Sequence, residues 1–191
     1  MMKYADDYIM VQNLMPIELC KSLIRENSLP EKKWSKHSWF SYDQHISPQK
    51  AEDELDIIYA TREQFKMTEK YLLEALRKYQ EKYSQKEGRT GSVWIEHISA
   101  VRFNRYKVGT QMQTHYDHIH TLFDGKYKGV PILSFIGLLN DNYQGGEFLC
   151  RKKEIKLKRG DILLFPSNFM YPHRVKEITK GIRHSFVGWG F

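Results

Sequence analysis

The apolar positions change their spacing near residue 92. Before it they recur at helical intervals; after it they alternate or form short runs between turn residues. In the first part, Pro16 sits in the first turn of a predicted helix whose stripe is Leu19, Leu23 and Ile24, and Pro30 prevents its continuation. A second helix is predicted from Glu54 to about Lys86, a stretch without glycine or proline. Phe65, Thr68, Leu72, Leu76, Tyr79 and Tyr83 fall on one of its faces, and Gly88 and Gly91 end it. This helix is expected to cover one face of a sheet. Between the two helices, Trp34 to Pro48 mixes Trp34, His37, Trp39, Phe40, Tyr42 and His45 with polar residues. It reads as a strand and loop at the edge of the core, or as an aromatic lid.

From Val93 the pattern is that of strands. Trp94 to Tyr106 is β-rich and partly alternating, Lys107 to Thr110 is a turn, and Gln111 to Asp117 is a second strand. A polar, glycine-containing loop follows from His118 to Val130, with Phe123 and Tyr127 in it. Further strands are predicted at Pro131–Asn140, Gly145–Cys150, Glu154–Leu157, Asp161–Pro166, His173–Ile178 and Arg183–Trp189, separated by short turns. Many short strands at even spacing indicate a sandwich or jelly roll. The class is therefore α+β, mainly β, with supporting N-terminal helices. No repeat, linker or low-complexity tract divides the chain. Its 191 residues suit one domain, with residues 1–92 as helical support and 93–191 as β core.

Composition narrows the class. Hydrophobic residues make up 41% and charged residues 28%, as in a water-soluble globular protein. No apolar run approaches the ~18 residues of a membrane-spanning helix. Met1 to Met10 carries Asp6 and Asp7 and lacks the apolar stretch of a signal peptide. Cys20 and Cys150 stand in unrelated contexts, so no disulfide framework is expected, and a reducing, cytoplasmic setting fits best. The net charge of +7 permits nucleic acid or acidic partners, but the lysines are widely spread and read as a solvated surface. No membrane partner is expected, and nothing indicates an oligomeric state.

The chemistry concentrates in His115-Tyr116-Asp117. Residues i and i+2 of a strand share a face, so His115 and Asp117 project together and Tyr116 turns away. His173 supplies a second imidazole downstream. Two histidines and one carboxylate on one face of an octahedral ion form the facial triad of non-heme Fe(II) oxygenases, with positions left open. His118 and His120 are rival ligands, but alternation turns both away from His115. His97 and Arg102 lie on a strand that lines the cleft in this reading, with no further signal.

The stretch from Tyr106 to the C-terminus resembles the Fe(II)/2-oxoglutarate-dependent dioxygenases, in their prolyl 4-hydroxylase-like branch. The resemblance is carried by Arg105-Tyr106 and Gly109, His115-Tyr116-Asp117, Leu138-Leu139-Asn140, Gly145-Gly146-Glu147-Phe148, Gly160 to Pro166, His173, and Thr179 to Ser185, in the family's order. It implies a double-stranded β-helix, the cupin-like jelly roll, with Fe(II) held by His115, Asp117 and His173 at one open end. It also implies 2-oxoglutarate and O2 as cosubstrates, and admits ascorbate as an accessory reductant. Arg183 lies ten residues after His173 and shares a face with Ser185 (183 − 173 = 10). A planar guanidinium forks onto a carboxylate, and a serine hydroxyl adds a donor, which suits the distal carboxylate of 2-oxoglutarate. By resemblance Tyr106 reaches the same cosubstrate. Several prolyl hydroxylases carry lysine where Arg183 stands.

The resemblance implies hydroxylation of a substrate C–H bond with release of succinate and CO2. An Asp at 117, not a small residue, leaves no site for halide and argues against halogenation. Peptidyl proline is the first expected substrate, and a free amino acid or other small molecule the second. A nucleic-acid demethylase of the same fold would be expected to carry a second arginine soon after Arg183, and Ser185 to Phe191 has none. A jelly roll that binds metal without turnover would have no use for a carboxylate clamp.

Overall fold

A computed structural model describes residues 8–37, 53–86, 95, 97–117 and 131–191. Strand β1 (Met10–Asn13) precedes helix α1 (Ile17–Asn27). Strands β2 (Ser35–Lys36) and β3 (Asp56–Tyr59) lead to helix α2 (Arg62–Lys86). The remaining strands are β4 (Arg102–Tyr106), β5 (Met112–His115), β6 (Leu133–Leu138), β7 (Gln144–Gly145), β8 (Phe148–Cys150), β9 (Lys153–Ile155), β10 (Asp161–Pro166), β11 (His173–Val175), β12 (Ile178–Lys180) and β13 (Arg183–Gly190). They form a seven-stranded sheet in the order β1-β10-β6-β13-β4-β3-β2, a four-stranded sheet β5-β11-β8-β9, and the pair β12-β7. All these strand pairs are antiparallel. The class is that expected: mainly β, a jelly roll, with two helices among the described residues. No described helix is long and apolar enough to cross a membrane.

Period-two alternation makes the large sheet two-sided. Phe103, Phe135, Ile162, Leu164 and Phe186 face the helices, where they pack with Leu23, Leu72, Leu76 and Tyr79. Tyr106, Ile136, Leu163, Phe165 and Val187 face the other way, into a second cluster with Met112, Phe148 and Val175 from the small sheet. The helices thus stabilise one face of the large sheet, and the site grows from the other.

Several boundaries differ from expectation. The long helix begins at Arg62, not Glu54, because Thr61 and Gln64 cap it reciprocally. The Thr61 hydroxyl accepts from the Gln64 amide at 3.2 Å, and the Gln64 side chain accepts from the Thr61 amide at 3.1 Å. Residues 56–59, expected in that helix, extend the sheet instead, pairing Ile58 with Phe103. Strand β1 adds a further N-terminal strand beside β10. The N-terminal region is therefore part sheet, not helical support alone. The strand expected over 94–106 forms over Arg102–Tyr106, preceded by a single bridge from Ile98 to Gly190. The strand expected over 173–178 divides into β11 and β12, which pair with different partners. Gly88, Gly91, most of the aromatic segment before Pro48, and the loop His118 to Val130 lie outside the described residues.

One buried carboxylate ties the N-terminal strands to β4. Asp56 accepts from Arg105 Nε at 3.1 Å and Nη2 at 2.9 Å, with Lys107 Nζ at 3.0 Å and Lys36 Nζ at 3.3 Å. Burial alone would raise its carboxyl, but the hydrogen bonds from Lys107 and Arg105 and the charge of Lys36 hold it below the ordinary range. A depressed folded pKa contributes stability above the unfolded value, and that stability is lost as pH falls through the folded one. Asp56→Asn is expected to cost about 1–2 kcal/mol at pH 7, for charge-assisted bonds to partly solvated partners. Denaturant titrations should show that difference shrinking below about pH 4, where the unfolded carboxyl takes up its proton.

Candidate functional site

The site lies between the two sheets, on the face of the large sheet turned away from the helices. Strand β11 pairs with β5 so that His173 stands directly opposite His115. Their rings lie 4.2 Å apart between centroids. Strand β5 ends at His115, yet the next two residues continue far enough for Asp117 to reach the same side. Its Oδ1 is 3.4 Å from His115 Nε2 and 3.6 Å from His173 Nε2. One donor atom from each residue lies within 4.8 Å of the others. Tyr116 turns outward and is exposed, as alternation predicts.

The backbone selects which imidazole nitrogens face inward. His115 Nδ1 lies 2.8 Å from the Gln113 carbonyl, and His173 Nδ1 lies 3.1 Å from that of Tyr171. A carbonyl only accepts, so each Nδ1 carries the proton and each Nε2 keeps a lone pair. Burial pushes the His173 imidazole down to about 4; Asp117 opposes this and His115 adds to it. The ring is therefore neutral near pH 7 and able to ligate. Phe148 and Phe165 pack against it at 5.6 and 4.8 Å and fix its plane.

Burial would likewise raise the Asp117 carboxyl. The two imidazoles and a hydrogen bond from Ser134 outweigh it and hold the group well below the usual carboxylate range. Ser134 Oγ donates to Asp117 Oδ2 at 2.6 Å and lies 2.8 Å from Ser167 Oγ. Its only proton goes to Asp117, so Ser167 supplies the proton between the two hydroxyls. Neither serine was anticipated from the sequence. The available signal was a polar residue at 134 inside the apolar run Pro131 to Leu139.

Arg183 opens β13 opposite Tyr106 of β4. It is 1% exposed, and no carboxylate pairs with it among the described residues. Its Nη1 donates to Ser185 Oγ at 2.9 Å, its guanidinium carbon lies 5.1 Å over the Tyr106 ring, and its Nε has no acceptor among the described residues. Gly146 permits this placement. Its φ is +68°, and a Cβ there would come within 2.4 Å of Ile178 Cδ1 and 3.1 Å of Arg183 Cδ. Burial raises the Tyr106 phenol, against the pull of Arg183 and Arg102, so it stays a neutral donor near pH 7. Tyr106, His115, Asp117, His173, Arg183 and Ser185 all line one cavity. Of the other residues raised by the sequence, Arg102 lines this cavity and His97 is exposed; His118 and His120 lie outside the described residues.

Residues 101–191 match the sequence profile of the 2OG-Fe(II) oxygenase superfamily. A PKHD-type hydroxylase of Prochlorococcus marinus (strain MIT 9211) is 35% identical over 98 residues, 48% of this chain and 41% of that protein. The chain thus spans about two fifths of the length of that curated relative. A solved viral collagen prolyl hydroxylase from Paramecium bursaria Chlorella virus-1, in complex with 2OG, superposes with a TM-score of 0.65 at 16% identity, covering 97% of each chain. A Trichoplax adhaerens prolyl hydroxylase, solved with a peptide fragment of a hypoxia-inducible factor, gives 0.62 at 18% identity, covering 96% of this chain and 83% of that one. At these identities the structural likeness establishes the fold.

Fe(II), 2-oxoglutarate and O2, the cofactors of this superfamily, fit the residues present. Two imidazole nitrogens and one carboxylate oxygen converge as a hard cation with open positions requires. A buried guanidinium whose Nε has no acceptor among the described residues lines the same cavity, and its charge suits an anion. The segment 101–191, which carries the histidine–aspartate cluster and the buried guanidinium, is thus similar in sequence to the 2OG-Fe(II) oxygenase superfamily and to the PKHD-type hydroxylases.

Proposed function

We propose that the chain is an Fe(II)- and 2-oxoglutarate-dependent hydroxylase acting on a prolyl residue of a peptide or protein, with succinate and CO2 as co-products. The observation that carries this reading is Arg183, a buried cation without a carboxylate partner among the described residues, on the same cavity as the three donors. A metal site alone would not need it.

His115 Nε2, Asp117 Oδ1 and His173 Nε2 hold the metal. Arg183 and Ser185 hold the far carboxylate of the cosubstrate, and the Tyr106 phenol donates toward it. When bound, the metal and cosubstrate together supply the oxidising chemistry. The protein orients and shields. Phe148 and Phe165 keep the His173 ring fixed and dry. Ser134 holds Asp117 so that one oxygen faces the histidines and the other is occupied. The peptide substrate rests on the likeness to prolyl hydroxylases, one of them solved with a peptide.

A succinate-release screen against proline peptides, free proline and nucleic acid tests the reading. Release raised by a proline peptide is the expected result; stimulation by nucleic acid alone would overturn it. The Ser134 contact gives a separate prediction. Ser134→Ala removes a hydrogen bond that orients the carboxylate ligand, and metal affinity should fall about tenfold or more, measured by competition with a chelator.

A further inference from the structure

The roles proposed above leave one cation of the cavity unused. Arg102 lies on β4 four residues before Tyr106, so Arg102, Asn104 and Tyr106 form one row on the cavity face. In the register of β13, Arg183 stands opposite Tyr106 and Val187 opposite Arg102. The two arginines therefore mark opposite ends of the row. Tyr59, paired with Arg102 from β3, is 67% exposed, so the Arg102 end opens to solvent.

Arg102 is half-buried and nearly unpartnered. Its Nε donates to Asn104 Oδ1 at 3.2 Å, and its guanidinium lies 5.8 Å from the Trp189 ring. Among the described residues its terminal nitrogens make no hydrogen bond, and no carboxylate forms an ion pair with it. Asp117 attracts it from a distance but is already committed to the two histidines and Ser134. The nearby cations Lys36, Arg105 and Lys107 are all taken up by Asp56. Trp189 adds a second donor. It shares the face of Arg183, Ser185 and Val187, and its buried Nε1 has no acceptor among the described residues. The terminal nitrogens of Arg102, which lines the cavity of the metal-ligand cluster, and the neighbouring Trp189 Nε1 thus have no acceptor among the described residues. Such a pairing lacks an anion.

We infer that Arg102 binds a carboxylate of the substrate at the mouth of the cavity, so that the enzyme selects prolyl compounds bearing a carboxylate close to the oxidised carbon. This inference rests on the hydroxylase reading. The carboxylate has two sources: the C-terminal carboxylate of the target residue itself, or an acidic side chain beside it in a peptide. A guanidinium grips either through two parallel hydrogen bonds.

Matched pairs of compounds separate these sources: N-acetylproline against N-acetylprolinamide, and acetyl-Pro-Glu-amide against acetyl-Pro-Gln-amide. The wild type should favour the acidic member of one pair by about a hundredfold in kcat/KM, and that pair names the source. R102M keeps the stem, removes the charge and should erase the preference, while R102K should retain part of it. The KM for 2-oxoglutarate and the slow substrate-free release of succinate should stay unchanged in R102M. Calorimetry with the protein loaded with Mn(II) and 2-oxoglutarate should show the preferred probe binding about a hundredfold more weakly to R102M. Equal treatment of both members of each pair, or no binding of any probe, overturns the inference. A raised KM for 2-oxoglutarate in R102M would instead assign Arg102 to the cosubstrate, and equal loss of substrate-free turnover would make it structural. Failure of the underlying reading has a different signature, namely no 2-oxoglutarate-dependent succinate release by the wild type at all.

Discussion

His173→Ala should reduce Fe(II) binding by at least two decades and take succinate release below detection, while the protein stays folded. His173 is central to the donor set. It stands opposite His115 across the β5–β11 pair and 3.6 Å from Asp117 through Nε2. Its loss leaves one imidazole and one carboxylate, and two decades correspond to about 3 kcal/mol. The alanine also opens a space beside Phe148 and Phe165, so some loss of stability is expected. His173→Gln keeps more of that volume and should recover the stability without the metal. His115→Ala and Asp117→Ala should behave alike in metal binding, Asp117→Ala most severely, since it also removes the only negative charge of the triad. Binding is read by competition with a chelator, folding by thermal unfolding without metal, and turnover by succinate release. Near-normal release in the His173 variants would remove this residue from the site.

The triad was legible because two rules coincide on it. Alternation put His115 and Asp117 on one side, and a strand boundary two residues early did not change that, since Asp117 Oδ1 still reaches both imidazoles. Arg183 and Ser185 were expected on one face, and Arg183 Nη1 does lie 2.9 Å from Ser185 Oγ, at 1% exposure. The helix start was misread because Leu55, Ile57 and Ile58 look equally apolar in a helix and in a strand. The decisive mark was local: Thr61 and Gln64, three residues apart, form a cap that begins the helix after them. Strand β1 gave no period to read. Val11 is exposed and Gln12 is buried, because Gln12 Nε2 donates to the Ala75 carbonyl on α2 at 2.9 Å. Arg102 was placed on a cleft-lining strand but without a role, and Ser134 was not anticipated. Their neighbours lie far along the chain, Trp189 for one and Asp117 for the other, and only the strand order brings them together.

Arg183→Ala should raise the apparent KM for 2-oxoglutarate about a hundredfold or more and leave Fe(II) binding intact. The guanidinium stands on β13, outside the donor set, so its removal breaks no metal contact. In the wild type it would meet the far carboxylate of the cosubstrate in a site closed by Tyr106, Ser185 and Gly146. Without it that carboxylate is buried uncompensated, a penalty of roughly 3–5 kcal/mol. At ~1.4 kcal/mol per decade this is two to three decades in affinity. Arg183→Lys should recover part of the loss: it restores a charge but offers a point donor in place of a planar fork. The same variants carry a second, opposite expectation for stability. Arg183 is a buried cation with no carboxylate partner among the described residues when cosubstrate is absent, so its presence costs the empty fold free energy. Arg183→Met, which fills similar volume without charge, should therefore unfold at an equal or higher temperature than wild type without 2-oxoglutarate. Adding 2-oxoglutarate with a divalent metal should raise the wild-type melting temperature and leave that of Arg183→Met nearly unmoved. A KM unchanged in the alanine variant, or equal ligand-induced shifts in the two proteins, would show that the cosubstrate carboxylate binds elsewhere.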